Sequence, residues 1–357
     1  MSVRTSVGIG GGVQSAARGR GGLVGSLTFV LLLHAVGVSL LAGQAQLGGG
    51  SKALGVGVAV TAYTLGMRHA FDADHIAAID NTTRRMLSQR TRSMTVGFWF
   101  SLGHSSVVFI MVLGLGLGVR ALSTGIQSDD STLQRVAGIW GTSISGLFLL
   151  LIGFVNLAAL VGLIGVLRQA QGGHHDEAGL EALLEHRGWM YRILGRAMRA
   201  ISKPWHMYPA GFLFGLGFDT VSEIGLLVLA GGAAAAALPW WTILTLPILF
   251  AAGMSLLDTL DGAIMSFAYG WAYAEPMRRI YYNITVTALS VFVALAIGTV
   301  ELGGLLARRA GVTSGPLATM ESVDLNYLGF GIVVLFILTW AVAVGIWKLR
   351  VKRKPQG

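Results

Sequence analysis

Long uninterrupted apolar runs constrain this chain more than any other feature. A helix needs ~20 apolar residues to cross the hydrocarbon core of a bilayer. Eight such runs stand at 22–43, 53–82, 94–120, 136–167, 206–231, 241–265, 280–306 and 325–347. The segments between them carry the Gly, Ser, Arg, Gln and Asp expected of connections. The runs are continuously apolar rather than alternating, which argues against a β-barrel. Composition agrees, because only 12% of residues are charged, against roughly 25% in a soluble domain. Too little charge remains to cover a water-facing surface. The expected fold is an all-α polytopic bundle of eight transmembrane helices, forming one domain over 22–347.

The first run is longer than the ~7–15 apolar residues of a signal-peptide core, so it reads as a retained helix. Residues 1–21 are then expected as a flexible tail. With eight spans, both termini share a side with the connections after spans 2, 4 and 6. About twenty of the 26 Lys and Arg fall on that side and about five on the other, which places both termini in the cytoplasm. The net charge of +9 is therefore read as cytoplasmic loops on a lipid bilayer, not as a nucleic-acid surface. The loop 168–205 is cytoplasmic, as is the basic tail 348–357. Within the loop, Leu180, Leu183, Leu184, Tyr191, Leu194, Met198 and Ile201 recur near helical spacing among Arg and Lys. That pattern fits a basic helix on the inner membrane surface, and fits equally a helix packed under the bundle. His174 and His175 precede it, either as a metal-loading site or as a solvated polar tract.

Cysteine is absent, which removes disulfide frameworks, zinc ribbons, iron–sulfur clusters and thiol catalysis. The informative residues are acids inside the spans. An Asp at a helix centre costs about 2.5–3.5 kcal/mol on insertion, so such residues are rarely there without a task. Eight of the 17 acids fall within spans: Asp72, Asp74, Asp80, Asp219, Glu223, Asp258, Asp261 and Glu301. His34, His69, His75 and His104 join them, and Arg68 is the only basic residue expected at depth. An excess of buried acids over buried bases is the composition of a cation site.

Span 2 holds the densest group, GMRHAFDADHIAAIDNTTRR (66–85). On a regular helix Arg68, His69, Asp72, His75 and Asp80 fall within an arc of about 140°. Asp74 and Asn81 point the other way, so shared ligation by Asp74 requires the helix to bend or unwind. Imidazole and carboxylate without thiolate suit nickel, cobalt, zinc or manganese. Span 3 adds His104 in FWFSLGHSSVVF, span 5 adds Asp219 and Glu223 at i,i+4, and span 6 adds Ser255, Asp258 and Asp261 on one face. At ~1.5 Å per residue these groups reach overlapping depths. A shared intramembrane site is the economical reading.

These stretches resemble the NiCoT family of nickel/cobalt transporters, secondary permeases of bacterial cytoplasmic membranes with eight spans. The family's H-x4-D-H stands as His69, Asp74 and His75. SLGHSSVVF, LGFDTVSE, GMSLLDTLDG and YNITVTALSVFVALAIGTVE follow in order, so the resemblance runs from about 53 to 306. It implies uptake of Ni²⁺ or Co²⁺, with no permanently bound cofactor. His69, Asp74 and His75 would carry metal recognition, and Asp72 is grouped with them as a ligand. Arg68, Asp80, Asn81, His104, Asp219, Glu223, Ser255, Asp258 and Asp261 are expected around the ion or along its route. His104 either binds the ion or orients a span 2 ligand by a hydrogen bond.

No lysine follows a glycine, so the chain has no P-loop of its own, and no ATPase subunit is implied. A membrane potential of 100 mV supplies about 2.3 kcal/mol per charge, or about 4.6 kcal/mol for a divalent ion. The competing readings are a cation-coupled carrier of another divalent metal and an intramembrane metalloenzyme. The zincin HExxH is absent, and Ser105 beside His104 lacks the acid and oxyanion hole of a triad. An enzyme is therefore not expected.

Overall fold

The computed structural model describes residues 10–47, 56–88, 93–116, 132–171, 202–217, 244–272, 276–323 and 325–352. Regular structure among them is helical throughout. In chain order the helices are α1 (Gly10–Leu47), α2 (Val56–His69), α3 (Ala73–Ser88), α4 (Val96–Gly116) and α5 (Thr132–Gln171). After a 3-10 turn at Pro204–His206 come α6 (Met207–Gly215), α7 (Thr245–Ala272), α8 (Pro276–Ala310), α9 (Pro316–Glu321) and α10 (Leu325–Lys352). Five stretches among the described residues are long and apolar enough to cross a membrane: Gly21–Gly43, Val96–Gly114, Ile139–Gly162, Thr245–Gly270 and Thr287–Ala310. Leu328–Thr339 in α10 is a shorter apolar stretch. Residues 172–201, with His174, His175 and most of the basic amphipathic segment, and 218–243, with Asp219 and Glu223, lie outside the described residues.

Several boundaries differ from those the apolar runs imply. Helix α1 begins at Gly10, so residues 10–21 continue the helix instead of forming part of a flexible tail. Once the apolar stretch has nucleated a helix, each added residue gains a hydrogen bond at little further cost. Helix α7 runs to Ala272 rather than 265, which brings Tyr269 inside the bundle. Helix α8 opens on Pro276, whose fixed φ suits a first helical position.

The largest correction concerns span 2, which is two helices rather than one. The Phe71 N–H bonds the Arg68 carbonyl (2.9 Å) and the Asp72 N–H bonds the His69 carbonyl (3.0 Å), tight closures that end α2. The Asp72 carbonyl then accepts the Ile76 N–H at 3.2 Å and opens α3. Asp is favoured at such an N-cap, and Asp74 in the first turn of α3 faces the positive end of the helix dipole. The regular-helix placement of these side chains therefore fails. The bend that a shared role for Asp74 requires is present.

Helix α3 is the hub. It packs against α4, α5, α7, α8 and α10, and every residue from His75 to Met86 is buried. Ile76 and Ile79 anchor it in a cluster with Phe100, Leu149, Phe214 and Ile297. A second cluster joins Ala59, Ala62, Val108, Leu246, Phe250 and Met254. Because α3 continues to Ser88, Arg84 and Arg85 are buried at 4% and 5% exposure instead of lying in a loop. Arg68, expected at depth, is exposed at the end of α2.

Glycines set how closely the helices approach the hub. A Cβ on Gly66 would collide with the Phe250 carbonyl, and one on Gly211 with the Phe100 carbonyl. Small residues permit such close helix crossings in membrane proteins. Gly211→Val should force α6 off α4 at a cost of at least about 1–3 kcal/mol. Gly21, with nothing near its Cβ position, serves as the control. On size-exclusion chromatography in detergent, Gly211→Val should lose the monodisperse peak that Gly21→Val retains.

Candidate metal centre

The break between α2 and α3 brings two histidines together. His69 is the last residue of α2, His75 lies in the first turn of α3, and α4 delivers His104 opposite them. The three rings form a nearly equilateral triangle, with centroids 4.8 Å apart for His69–His75, 4.7 Å for His69–His104 and 4.8 Å for His75–His104. Their exposures are 3%, 1% and 2%, so all three rings are shielded from solvent. A ring nitrogen from each lies within 4.8 Å of the others, an arrangement able to hold a metal ion. His69 Nε2 and His104 Nε2 are 3.0 Å apart.

Carboxylates stand behind two of the rings. Asp72 Oδ2 lies 2.9 Å from His69 Nδ1, and Asp258 Oδ2 lies 3.5 Å from His75 Nδ1. A carboxylate on Nδ1 fixes the tautomer and ring plane and raises the basicity of the opposite nitrogen. Aromatic rings close the walls, with Phe100 4.7 Å from His75 edge to face and Phe250 5.8 Å from His69. Gly215 at the end of α6 lets that helix meet the backbone of His104, where a Cβ would be 2.9 Å from the His104 carbonyl oxygen.

The other expected residues are distributed around this triangle. Asp74 accepts the His75 backbone N–H at 2.9 Å and the Ser145 hydroxyl from α5 at 3.3 Å. Asp80, two turns further along α3, accepts a hydrogen bond from Tyr269. Asn81 donates to the Ala77 carbonyl (2.8 Å) and accepts from Asn156 (2.7 Å) and Arg84 (3.3 Å). Ser255 and Asp258 are buried on α7, and Asp261 follows one turn later. The structure thus gathers His69, Asp72, His75, His104 and Asp258 at one point, and strings Asp80 and Asp261 beyond it.

Reasoning from the sequence missed Ser145, Asn156 and Tyr269. Asn156 is an isolated polar residue in the apolar span 136–167, and Ser145 follows Thr142 and Ser143 there, a signal that was there to use. Tyr269 fell outside the span assigned at 241–265.

The sequence matches the family described as NicO, high-affinity nickel-transport protein, over residues 55–346. It is 56% identical over 321 residues to the nickel transporter NicT of Mycobacterium tuberculosis, covering 89% of this chain and 86% of that protein. It is 48% identical to the nickel transporter NixA of Staphylococcus aureus, with 92% and 95% covered. The cobalt transport protein NhlF of Rhodococcus rhodochrous is 40% identical, with 88% and 89% covered. No solved structure matches. These relatives are transporters and not enzymes, and the apolar helices agree with a multi-pass membrane protein. The chain belongs to the NicO family of high-affinity nickel-transport proteins.

Proposed function

We propose that the chain is a secondary transporter carrying Ni²⁺, Co²⁺ or both into the cell across the bacterial cytoplasmic membrane. In this reading one transmembrane domain, residues 22–347, makes eight spans with both termini cytoplasmic. The imidazole triangle carries the proposal. His69 Nε2 and His104 Nε2 are hydrogen-bonded at 3.0 Å, and the three ring nitrogens lie within 4.8 Å of one another. Buried imidazole donors without thiolate suit nickel and cobalt among the borderline divalent ions. The names of the relatives support both ions, nickel for two of them and cobalt for the third.

His69, His75 and His104 are the ligands in this reading. Asp72 and Asp258 orient the first two from behind, and Asp74 ties the start of α3 to α5 through Ser145 and so sets where His75 stands. Ser255, Asp261 and Asp80 continue the polar lining along α7 and α3, with Asp219 and Glu223 assigned to the same route. Arg68 closes α2 through its backbone carbonyl, and Asn81 ties the middle of α3 to α5 through Asn156. The inward potential drives the ion, at about 4.6 kcal/mol per 100 mV for two charges.

Alanine at His69, His75 or His104 should abolish uptake of isotopic Ni²⁺ while immunoblots show normal amounts in the membrane. Normal uptake by all three variants would sink the assignment. Asp72→Asn and Asp258→Asn, which act through a histidine, should weaken apparent affinity about 10–100-fold and leave ion preference unchanged.

Unlabelled Co²⁺ should compete with isotopic Ni²⁺ in whole cells, because both accept this donor set. Failure to compete at large excess would restrict the chain to nickel. Collapsing the potential with valinomycin in high potassium should stop uptake while ATP is still present, and uptake persisting under those conditions would exclude a potential-driven carrier.

A further inference from the structure

A second polar group lies buried where α3 meets α7, beyond the triangle. The two helices touch at Ile79 and Gly262, where a glycine Cβ would be 3.5 Å from Ile79 Cγ2. Asp80, fully buried on α3, follows Ile79 directly. One of its oxygens accepts the Tyr269 hydroxyl, and the other, Oδ2, is buried without a hydrogen-bond partner. On α7, Asp261 precedes Gly262 and likewise holds a buried Oδ2 without a partner. Asp261 is within electrostatic reach of both Asp80 and Asp258, and Ser290 of α8 stands fully buried beside Asp80 and Tyr269. Arg84, one guanidinium nitrogen of which donates to Asn81 at 3.3 Å, stands within electrostatic reach of Asp80 and offsets part of the acidic charge.

Two carboxylates sharing a buried space oppose each other's ionisation and are costly to keep. The Tyr269 and Ser290 hydroxyls stand at Asp80, and Asp261 reaches the same acid from α7. We propose that Asp80 and Asp261, with these hydroxyls, form a second cation station built of oxygen alone, to which the divalent ion passes after leaving the imidazoles. The passage rests on the uptake reading above, whereas the existence of the station does not. Oxygen donors hold nickel and cobalt less tightly than imidazole and suit harder ions such as Mn²⁺. Conduction needs a site weak enough to release the ion again.

Mn²⁺ is therefore the probe. The purified full chain in detergent is titrated with Mn²⁺ and the free ion read by electron paramagnetic resonance, while calorimetry follows Ni²⁺. The wild type should bind one Mn²⁺, and His69→Ala should retain it while losing tight Ni²⁺ binding. Asp80→Asn and Asp261→Asn should each weaken Mn²⁺ at least tenfold and keep tight Ni²⁺ binding. Tyr269→Phe, which preserves shape, should weaken Mn²⁺ less. Asp261 is only partly buried, so Asp261→Asn keeps the test open if Asp80→Asn elutes as aggregate. No Mn²⁺ binding by the wild type, unchanged Mn²⁺ binding in both Asp variants, or loss of Mn²⁺ in His69→Ala would each overturn the station. Retention of tight Ni²⁺ binding in His69→Ala would instead count against the imidazole site and leave the station standing.

Discussion

Helix α3 places Asp74, His75, Asp80, Asn81, Thr82, Thr83, Arg84 and Arg85 in the middle of an apolar bundle, and the rest of the structure answers to that. At depth there is no bulk water to satisfy such groups, so partners must come from neighbouring helices. Ser145 and Asn156 come from α5, and Asp258 and Tyr269 from α7. A single polar helix therefore dictates which helices surround it and in what register. The glycine crossings follow from the same need, because donors on short side chains reach their acceptors only when backbones approach closely.

The break before α3 turns this helix into part of a site. No proline or glycine lies between Met67 and Asn81, so the interruption has to be stabilised from outside. Asp72 does part of this by capping α3 with its backbone while its carboxylate holds His69. Helix α10 does the rest. The Phe71 ring stacks on Phe330 with centroids 4.6 Å apart, and Gly329 lets the α10 backbone lie against the Phe71 carbonyl. The bend directs His69 and His75 into one space, which consecutive turns of a straight helix do only side by side.

The helical class was legible in the sequence, and so was a concentration of acids and histidines within several spans, because apolar length and buried charge are local signals. His104 and Asp258 were read there only as surrounding residues, and Asp74 as a ligand. The break was legible only as a condition on Asp74. Periodicity assumes a regular helix, and the caps that end α2 involve backbone contacts with α7 and α10 that no single segment encodes. Hydropathy also misplaced the end of α3. Residues 83–88 are mostly polar and fall beyond the span assigned at 53–82, although the helix continues through them and Thr83, Arg84, Arg85 and Met86 are buried. Tyr269 was lost for the converse reason, as an aromatic just past the last clear apolar window. In both cases long-range packing decided burial.

The charge arithmetic of the proposed loaded site bears on its choice of ion. The three imidazoles are neutral donors and bring no charge to the ion. The carboxylates of Asp72 and Asp258 sit one ring behind, at 2.9 and 3.5 Å from the Nδ1 atoms. In this proposed reading the two carboxylates offset part of a divalent ion's charge through the rings, and Asp74, which accepts the His75 backbone N–H, adds a third acid close by. A cation leaving water for a low-dielectric interior carries a large desolvation cost unless such charges face it. The rings come from α2, α3 and α4, and the carboxylates of Asp72 and Asp258 from the break before α3 and from α7. The acids then favour a divalent over a monovalent cation, and the imidazoles set donor preference.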